Sequence, residues 1–322
     1  SMALALARKG EGRTRPNPPV GAVVVRDDKQ VGAGYHRAAG KAHAEVNALR
    51  RAGDAARGAT LYVTLEPCST QGRTPPCTDA IRKAGVARVV IGAEDPNPRH
   101  AGAGVKLLES AGIPGAVGVC GRAASRLLQP FAKWIGCGRP FVTLKMAMSL
   151  DGRIADAKGR SRWITSPPAR RLVHDLRRRC DAIMVGVGTA LADDPSLLCS
   201  GRRDAALRVI VDSEGRLPLR SRVLTDSART MTCVATTPRC PPERREAIEA
   251  TGARVLVMRE RRGRVSLKSL LNRLGRDGIL HVLCEGGGAL AHGLIEQQLV
   301  DEAVFFVAPL VMGDRDAPSA SK

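Results

Sequence analysis

Four residues of types that perform catalysis lie close together in the first third of the sequence. His43 and Glu45 are two positions apart in "KAHAEVNAL", and Cys68 and Cys77 follow in "EPCSTQGRTPPC". One imidazole and two thiolates are ligands that zinc prefers, and three protein ligands leave the fourth tetrahedral position of the ion for water. The pattern therefore predicts an open zinc site formed by His43, Cys68 and Cys77.

Glu45 has a separate role in such a site, because a carboxylate can take the proton of an acidified water and deliver it to a leaving amine. This is the chemistry of hydrolytic deamination of a heterocycle, and H-x-E followed by P-C is typical of zinc deaminases. The alternative is that His43 and Glu45 are surface residues of a helix and that the cysteines are core thiols or ligands of a closed structural zinc site.

The elements that must position these residues follow from the hydrophobic pattern. Strands are predicted at "VGAVVV", "ATLYVTL" and "ARVVIGA", and helices at "AHAEVNALRRAG" and "CTDAIRKAG". His43 and Glu45 then lie at the start of one helix, Cys68 just beyond a strand end, and Cys77 at the start of the next helix. The positive ends of both helices would help to keep the thiols ionised.

The rest of the chain continues the alternation of strands and helices, which predicts sheets with crossover helices. A length of 322 residues predicts two domains. We expect a deaminase domain at 1–123, a helical connector at 124–139 and a second domain at 140–322. In this second domain, seven strands are predicted at "FVTLKMAMSLDG", "AIMVGVG", "LRVIVDS", "MTCVATT", "RVLVM", "LHVLCEGGG" and "EAVFFVAPLV", with four helices between them.

The charge and composition of the chain indicate which kinds of molecule the protein binds. The net charge of +20 comes mostly from arginines that are scattered along the chain, and only 2% of residues are aromatic. This favours solvated faces and a few phosphate-binding arginines over a nucleic-acid surface, which would need aromatic side chains for stacking. No apolar run approaches the roughly 20 residues of a membrane span, and nine cysteines in isolated positions favour a reducing cytosol. We expect a cytoplasmic protein that binds neither membrane nor nucleic acid.

Two independent sets of motifs resemble one enzyme family. In the first half, "RPNPPVGAVVV", "GYHRAAGKAHAEV", "DPNPRHAG" and the eight residues between Cys68 and Cys77 resemble the deaminase half of the RibD family of bifunctional riboflavin-biosynthesis deaminase/reductases. In the second half, "FVTLKMAMSLDGRIA", "SRWITSPPAR", "LRRRCDAIMVGVGTALADDPSL" and "EGGGALAHGLI" are similar to its reductase half. The resemblance implies a cytidine-deaminase-like three-layer α/β/α domain followed by a dihydrofolate-reductase-like α/β domain.

The resemblance also implies roles for residues of the first domain. His43, Cys68 and Cys77 would bind one zinc ion and Glu45 would be the proton shuttle. Asn17 and His36 match positions that hold the pyrimidine, and Arg73 matches a basic residue near the ribose phosphate. The family usually has a histidine after "PCS", where this chain has Thr70 and Gln71.

For the second domain, the resemblance implies an NADPH site and a substrate site in a cleft at the strand ends. Arg177 would clamp a phosphate through its guanidinium. This half departs from the family pattern in two places. After "PSL" the family usually has a short polar step and an arginine, whereas this chain has "LCSGRR", so the phosphate contact would move to Arg202 or be lost. The family also normally continues for some tens of residues beyond the final "SASK". The positions that match NADPH contacts are Ala147, Trp163, Thr189, Asp193, Ser213 and Gly287, and those that match substrate contacts are Lys145, Ser161, Arg177, Leu197 and Glu285.

The resulting prediction is a homo-oligomeric two-step enzyme. Its first domain would replace the ring amino group of a phosphoribosylaminopyrimidine with oxygen, and its second would use NADPH to reduce the ribosyl group to a ribityl chain. Three alternatives stay open: an active deaminase with a degenerate reductase, a nucleic-acid or nucleoside deaminase, and a non-catalytic protein stabilised by zinc.

Overall fold

The computed structural model describes residues 2–158, 164–199, 206–313 and 317–319. The chain divides into two compact units, Ser1–Gly138 and Arg139–Lys322. The segment 124–139, expected to be a connector, is mostly part of a long helix, Gly121–Cys137, that belongs to the first unit.

The first unit is a five-stranded mixed sheet with the order β2-β1-β3-β4-β5. Strand β1 pairs antiparallel with β2 and β3, while β3, β4 and β5 are parallel to one another. The strands are β1 (Gly21–Arg26), β2 (Lys29–Tyr35), β3 (Thr60–Leu65), β4 (Arg88–Ala93) and β5 (Gly115–Val117). The helices are α1 (Met2–Arg8), α2 (Ala44–Ala52), α3 (Cys77–Ala84), α4 (Ala103–Ser110) and α5 (Gly121–Cys137).

Close packing on β2 fixes the position of α2, the helix that contains Glu45. A Cβ atom added at Gly34 would lie 2.6 Å from the carbonyl oxygen of Ala44, and one at Gly32 would lie 2.3 Å from that of Ala48. These glycines therefore allow the helix backbone to rest directly on the strand. The sequence pattern did not predict β2, because Gly32 and Gly34 weaken the alternation that marks a strand.

The second unit contains a seven-stranded sheet in which every pair of neighbouring strands is parallel, with the order β10-β9-β8-β7-β13-β6-β14. The strands are β6 (Phe141–Ser149), β7 (Ala182–Gly186), β8 (Leu207–Val211), β9 (Thr232–Thr236), β10 (Arg254–Val257), β13 (His281–Cys284) and β14 (Glu302–Ala308). The helices are α6 (Pro167–Arg179), α7 (Val187–Asp193), α8 (Arg222–Thr225), α9 (Pro242–Glu249), α10 (Leu267–Arg276) and α11 (Gly288–Glu296).

The parallel direction brings the carboxyl ends of the strands to one edge of the sheet, where ligands of open α/β sheets bind. Most of the described residues predicted to contact NADPH or substrate lie in β6, α6, α7 or the turn after β13. The inner strands, such as β7, β9 and β13, are buried on both faces, which explains their continuous apolar sequences, whereas the edge strands β10 and β14 are partly exposed.

All seven predicted strands of this unit are present. The pattern missed the short helices α7 and α8 and a two-stranded antiparallel hairpin of β11 (Glu260–Arg261) and β12 (Arg264–Val265). The hairpin strands have two residues each, which is too short to show any periodicity. None of the helices in the described ranges combines the length and the apolar character that crossing a bilayer would require.

Candidate active sites

The predicted zinc ligands converge in the first unit. His43 directly precedes α2, Cys77 is the first residue of α3, and Cys68 lies in the loop that follows β3. Their ligand atoms all lie within 4.8 Å of one another. The Nδ1 atom of His43 is 3.1 Å from the Cys77 Sγ and 3.5 Å from the Cys68 Sγ. Two helix starts and one strand end thus bring three ligands around one point.

Hydrogen bonds connect the three ligands to one another and to Thr74. The Cys77 thiol lowers the pKa of Cys68 to about 4 by hydrogen bonding, and the backbone N–H of Cys77 also lies 3.3 Å from the Cys68 Sγ. The same hydrogen bond and burial raise the pKa of Cys77. The hydroxyl of Thr74 lies 3.3 Å from the Nε2 of His43, so Nε2–H can donate to Thr74 while Nδ1 faces the sulfurs. This donor set fits zinc with one open position.

Glu45 lies beside the ligands without belonging to the group of metal-binding atoms. Its side chain is in the core, with 3% exposure, and its Oε2 has no hydrogen-bond partner among the described residues. Burial raises its pKa to about 7. A carboxyl group that titrates near neutrality is suited both to accept and to donate a proton.

A cavity of about 330 Å³ is lined by Glu45 and by two of the three predicted zinc ligands, His43 and Cys68. Asn17 and His36 line it, and the Asn17 amide donates to the His36 Nε2 at 3.1 Å. The His36 Nδ1 in turn donates to the Ala42 carbonyl at 3.3 Å, and burial lowers the pKa of His36, which favours the neutral ring. Arg73 also lines the cavity from an exposed position. The cavity therefore brings together all three residues predicted to contact the pyrimidine substrate.

Thr70 and Gln71, which stand where the family usually has a histidine, differ in their positions relative to the cavity. Thr70 lines the cavity, whereas Gln71 does not and its side-chain amide donates to the Gly72 carbonyl. His36 is the imidazole nearest to the zinc ligands among the described residues of this cavity, with its ring centroid 5.2 Å from that of His43.

The sequence analysis missed Glu66, which also lines this cavity. Glu66 is buried, and its Oε2 accepts from the backbone N–H groups of Asp95 and Gly102 at 3.1 and 3.0 Å. Its Oε1 accepts from those of Gly104 and Val105 at 2.8 and 3.3 Å. Glu66 thus holds the loop after β4 and the start of α4 next to the loop after β3 that contains Cys68. An acidic residue directly before "PC" was the signal that could have identified it.

The predicted reductase residues converge in a separate cavity of about 980 Å³ in the second unit. Ser161 and Trp163 lie outside the described residues, as does Arg202. Eight of the nine remaining predicted residues line the cavity: Lys145, Ala147, Arg177, Thr189, Asp193, Leu197, Glu285 and Gly287. The exception is Ser213, which lines a neighbouring cavity.

Arg177 and Glu285 form a bidentate ion pair inside the reductase cavity. Arg177 Nε lies 2.5 Å from Glu285 Oε1 and Nη2 lies 2.9 Å from Oε2. The two side chains are 16% and 7% exposed. Since this edge of the guanidinium is occupied by Glu285, a phosphate can meet Arg177 at its Nη1–Nη2 end. Lys145 is also buried in the cavity, and burial lowers its pKa.

Two glycine-containing turns, at Gly186 after β7 and at Gly286 after β13, line the reductase cavity between the strand ends. A Cβ atom at Gly286 would lie 2.7 Å from the Leu290 side chain and 3.3 Å from the Gly186 nitrogen, so the turns after β7 and β13 are in contact. The Gly287 N–H donates to the Thr189 hydroxyl at 2.9 Å. Helix α11 begins at this point, and its N-terminal N–H groups are suited to a phosphate group.

Family models match both units. Residues 1–93 match the cytidine and deoxycytidylate deaminase zinc-binding region, and residues 140–321 match the RibD C-terminal domain. These matches confirm the predicted fold class of a cytidine-deaminase-like domain followed by a dihydrofolate-reductase-like domain. They also confirm zinc and NADPH as the cofactors.

Similar proteins extend over almost the whole chain. The riboflavin biosynthesis protein RibD of Aquifex aeolicus is 44% identical, covering 97% of this chain and 86% of the relative. That of Escherichia coli is 43% identical, covering 97% and 87%. The solved structure of Acinetobacter baumannii RibD is similar with a TM-score of 0.87 at 41% identity, covering 99% of this chain and 88% of that one. A Thermotoga maritima deaminase/reductase has a TM-score of 0.86 at 38% identity, with the same coverage.

Proposed function

This chain belongs to the RibD family, and from that membership we propose which of its residues perform the two reactions. The protein is a bifunctional deaminase and reductase of riboflavin biosynthesis. The T. maritima relative is described as a diaminohydroxyphosphoribosylaminopyrimidine deaminase and 5-amino-6-(5-phosphoribosylamino)uracil reductase. We assign these two substrates to this chain, with the deaminase at 1–123 and the reductase at 140–322.

In the deaminase, His43, Cys68 and Cys77 hold the zinc ion. Zinc in a site with an open position lowers the pKa of water toward neutrality and so supplies a nucleophile. Glu45 would accept a proton from the attacking water and return it to the exocyclic amino group, which leaves as ammonia, so that a C–N bond is exchanged for a C–O bond. The observation that supports this role best is the buried, unpartnered Oε2 of Glu45 beside the three ligands.

The remaining cavity residues hold the pyrimidine and its phosphate. The His36 ring is fixed by hydrogen bonds to Asn17 and to the Ala42 carbonyl, which gives the cavity a neutral wall against which the heterocycle can be oriented. Arg73 lies at an exposed part of the lining, where a phosphate can stay partly solvated.

In the reductase, NADPH supplies the hydride that reduces the ribosyl carbon. Lys145 and Glu285 face the sugar, and Lys145 supplies the proton that the opened ring oxygen needs. Arg177 presents its Nη1–Nη2 end to the ribose phosphate while Glu285 fixes its orientation. The eight predicted residues that line one cavity support an active reductase over a degenerate one.

We also propose a cytoplasmic enzyme that forms a homo-oligomer and does not bind nucleic acid. None of the nine cysteines forms a disulfide, which is in accord with a reducing compartment. The cavity at the zinc ligands has one aromatic side chain, Phe131, so it offers little surface for stacking a nucleic-acid strand.

The assignment of Glu45 is tested with Glu45→Gln and both half-reactions. Ammonia release from the diaminopyrimidine substrate should fall by at least about 100-fold, because the variant cannot transfer the proton. NADPH oxidation with the deaminated intermediate should be unchanged. Glu109→Gln is the matched control, since Glu109 is an exposed residue of the same unit that lies outside the cavity. Ammonia release at the wild-type rate in Glu45→Gln would refute the assignment.

The converse variant is Lys145→Met, which should abolish NADPH oxidation and leave ammonia release intact. Wild-type protein that released ammonia but failed to oxidise NADPH with the deaminated intermediate would instead establish the degenerate reductase.

A further inference from the structure

A fully buried arginine lies behind one wall of the reductase cavity. Arg208 is the second residue of β8, and its side chain is 0% exposed. It does not line the cavity and has no role in the proposed reactions. Because a buried charge is costly unless it is paired and hydrogen-bonded, the contacts that offset this cost indicate what the residue holds in place.

Each of the four hydrogens on the two Nη atoms of Arg208 has an acceptor. Nη1 donates to Asp226 Oδ2 at 2.6 Å, and Nη2 donates to Asp226 Oδ1 at 2.9 Å. Nη1 also donates to the Ser196 carbonyl at 2.9 Å, and Nη2 to the Val223 carbonyl at 3.0 Å. The guanidinium thus connects the turn at 194–197, which follows α7, with helix α8.

Both connected segments line the reductase cavity. Three residues of the turn at 194–197 line it, and so does Arg222, the first residue of α8. The Arg222 N–H donates to Asp194 Oδ1 at 2.9 Å, which is a second link between the two segments. Neither Arg208 nor Asp226 lines the cavity, so this wall is held together from outside the cavity.

The backbone of the turn at 194–197 has an unusual conformation. Asp194 has a φ of +39° and Leu197 a φ of +55°, in the left-handed region that residues other than glycine rarely adopt. Such residues persist where surrounding contacts maintain them, and they are frequent at functional sites. The carbonyl that Arg208 binds belongs to the peptide bond between Ser196 and Leu197. Arg208 therefore holds the peptide whose orientation sets the backbone of Leu197.

We propose that Arg208 is a positioning residue of the reductase. Through its hydrogen bond to the Ser196 carbonyl it holds the turn at 194–197 in the conformation that contacts the pyrimidine substrate, while Asp226 compensates its buried charge. The inference rests on the proposed reductase function, which takes Leu197 as a substrate contact. Because Arg208 does not touch the substrate, its loss should weaken substrate binding more than it slows the chemical step.

The test measures NADPH oxidation by the full chain with the deaminated intermediate. Arg208→Leu/Asp226→Leu removes both charges together, so no buried charge loses its partner and the second unit should stay close to wild-type stability. The Ser196 carbonyl nevertheless loses its donor. The KM for the deaminated intermediate should rise by about 10-fold or more, because a hydrogen bond from a charged donor contributes at least roughly that factor. The kcat and the KM for NADPH should stay within about threefold of wild type.

Asp226→Asn is the complementary variant. It keeps Arg208 and its donor to the Ser196 carbonyl but removes the compensating charge. The β8 amides should therefore exchange hydrogen faster than in wild type, while the KM for the deaminated intermediate stays within about threefold. A merely structural role would instead make the KM follow stability, with the larger rise in Asp226→Asn and the smaller one in the double leucine variant.

Arg254→Leu/Asp277→Leu is the matched control. It removes another arginine–carboxylate pair of the same unit, in which Arg254 Nη2 lies 2.9 Å from Asp277 Oδ2. Arg254 is the first residue of β10, and neither partner lines the reductase cavity. The control should have the wild-type KM for the deaminated intermediate.

Three outcomes would overturn the inference: a wild-type KM in Arg208→Leu/Asp226→Leu, an equal rise in the control, or a rise in Asp226→Asn as large as in the double leucine variant. In each case normal NADPH turnover by the wild type would leave the proposed reductase function standing. Failure of the wild type to oxidise NADPH with the deaminated intermediate would instead contradict the proposed function.

Discussion

Removing either partner of the ion pair between Arg177 and Glu285 should destabilise the second unit by about 3–5 kcal/mol. Removing one partner of a buried pair leaves a charge without compensation and costs about 3–5 kcal/mol. The Arg177 and Glu285 side chains are 16% and 7% exposed, so Arg177→Met should cost about 3 kcal/mol, near the lower limit. Arg177→Met/Glu285→Leu removes both charges and should cost less than the sum of the single variants by at least about 2 kcal/mol.

Hydrogen exchange of the full chain, read by mass spectrometry on peptides from β7 and β13, measures this cost without assuming that the two units unfold together. The single variants should exchange these amides faster than wild type, and the double variant should recover most of the protection. Additive losses, or a cost of Arg177→Met below about 1 kcal/mol, would refute the conclusion that the two side chains depend on each other.

Two further predictions concern histidines. Thr74→Val should weaken zinc binding by about 10-fold or more, measured by chelator competition, because His43 Nε2 loses the partner that orients its ring. Thr74→Ser should keep the wild-type affinity for zinc, and equal affinities of the two variants would exclude this role for Thr74. Burial lowers the pKa of His281 from 6.5 to about 4, so the unfolded chain takes up a proton in this interval that the folded chain does not. Unfolding free energy should fall by about 3 kcal/mol as the pH falls from 6.5 to 4, and His281→Gln should flatten this fall in pH-dependent denaturation.

The zinc site could be predicted from the sequence because its chemistry depends on residue type and on the ends of strongly patterned elements. His43 and Cys77 begin helices whose apolar spacing is regular, and Cys68 follows a clear strand. Their convergence then followed from the way parallel strand ends and helix starts meet at one edge of a sheet.

Other features depend on contacts that no local pattern shows. Glu66 accepts hydrogen bonds from four backbone N–H groups that lie 29 to 39 positions away, so its place before "PC" could mark it as a candidate but could not show these contacts. Strand β2 exists because α2 packs onto Gly32 and Gly34, a tertiary interaction that overrides their low strand propensity. The pairing of Arg177 with Glu285 joins residues 108 positions apart, so only the fold shows which edge of the guanidinium stays available.

The central claim is that zinc has three protein ligands and one open position next to Glu45. Zinc K-edge X-ray absorption on the purified protein measures this directly. The account predicts one zinc per chain with two sulfur neighbours at about 2.3 Å and two nitrogen or oxygen neighbours at about 2.0 Å, one of them an exchangeable water. A third sulfur, a second histidine or the Glu45 carboxylate in that shell, or protein without zinc, would contradict it.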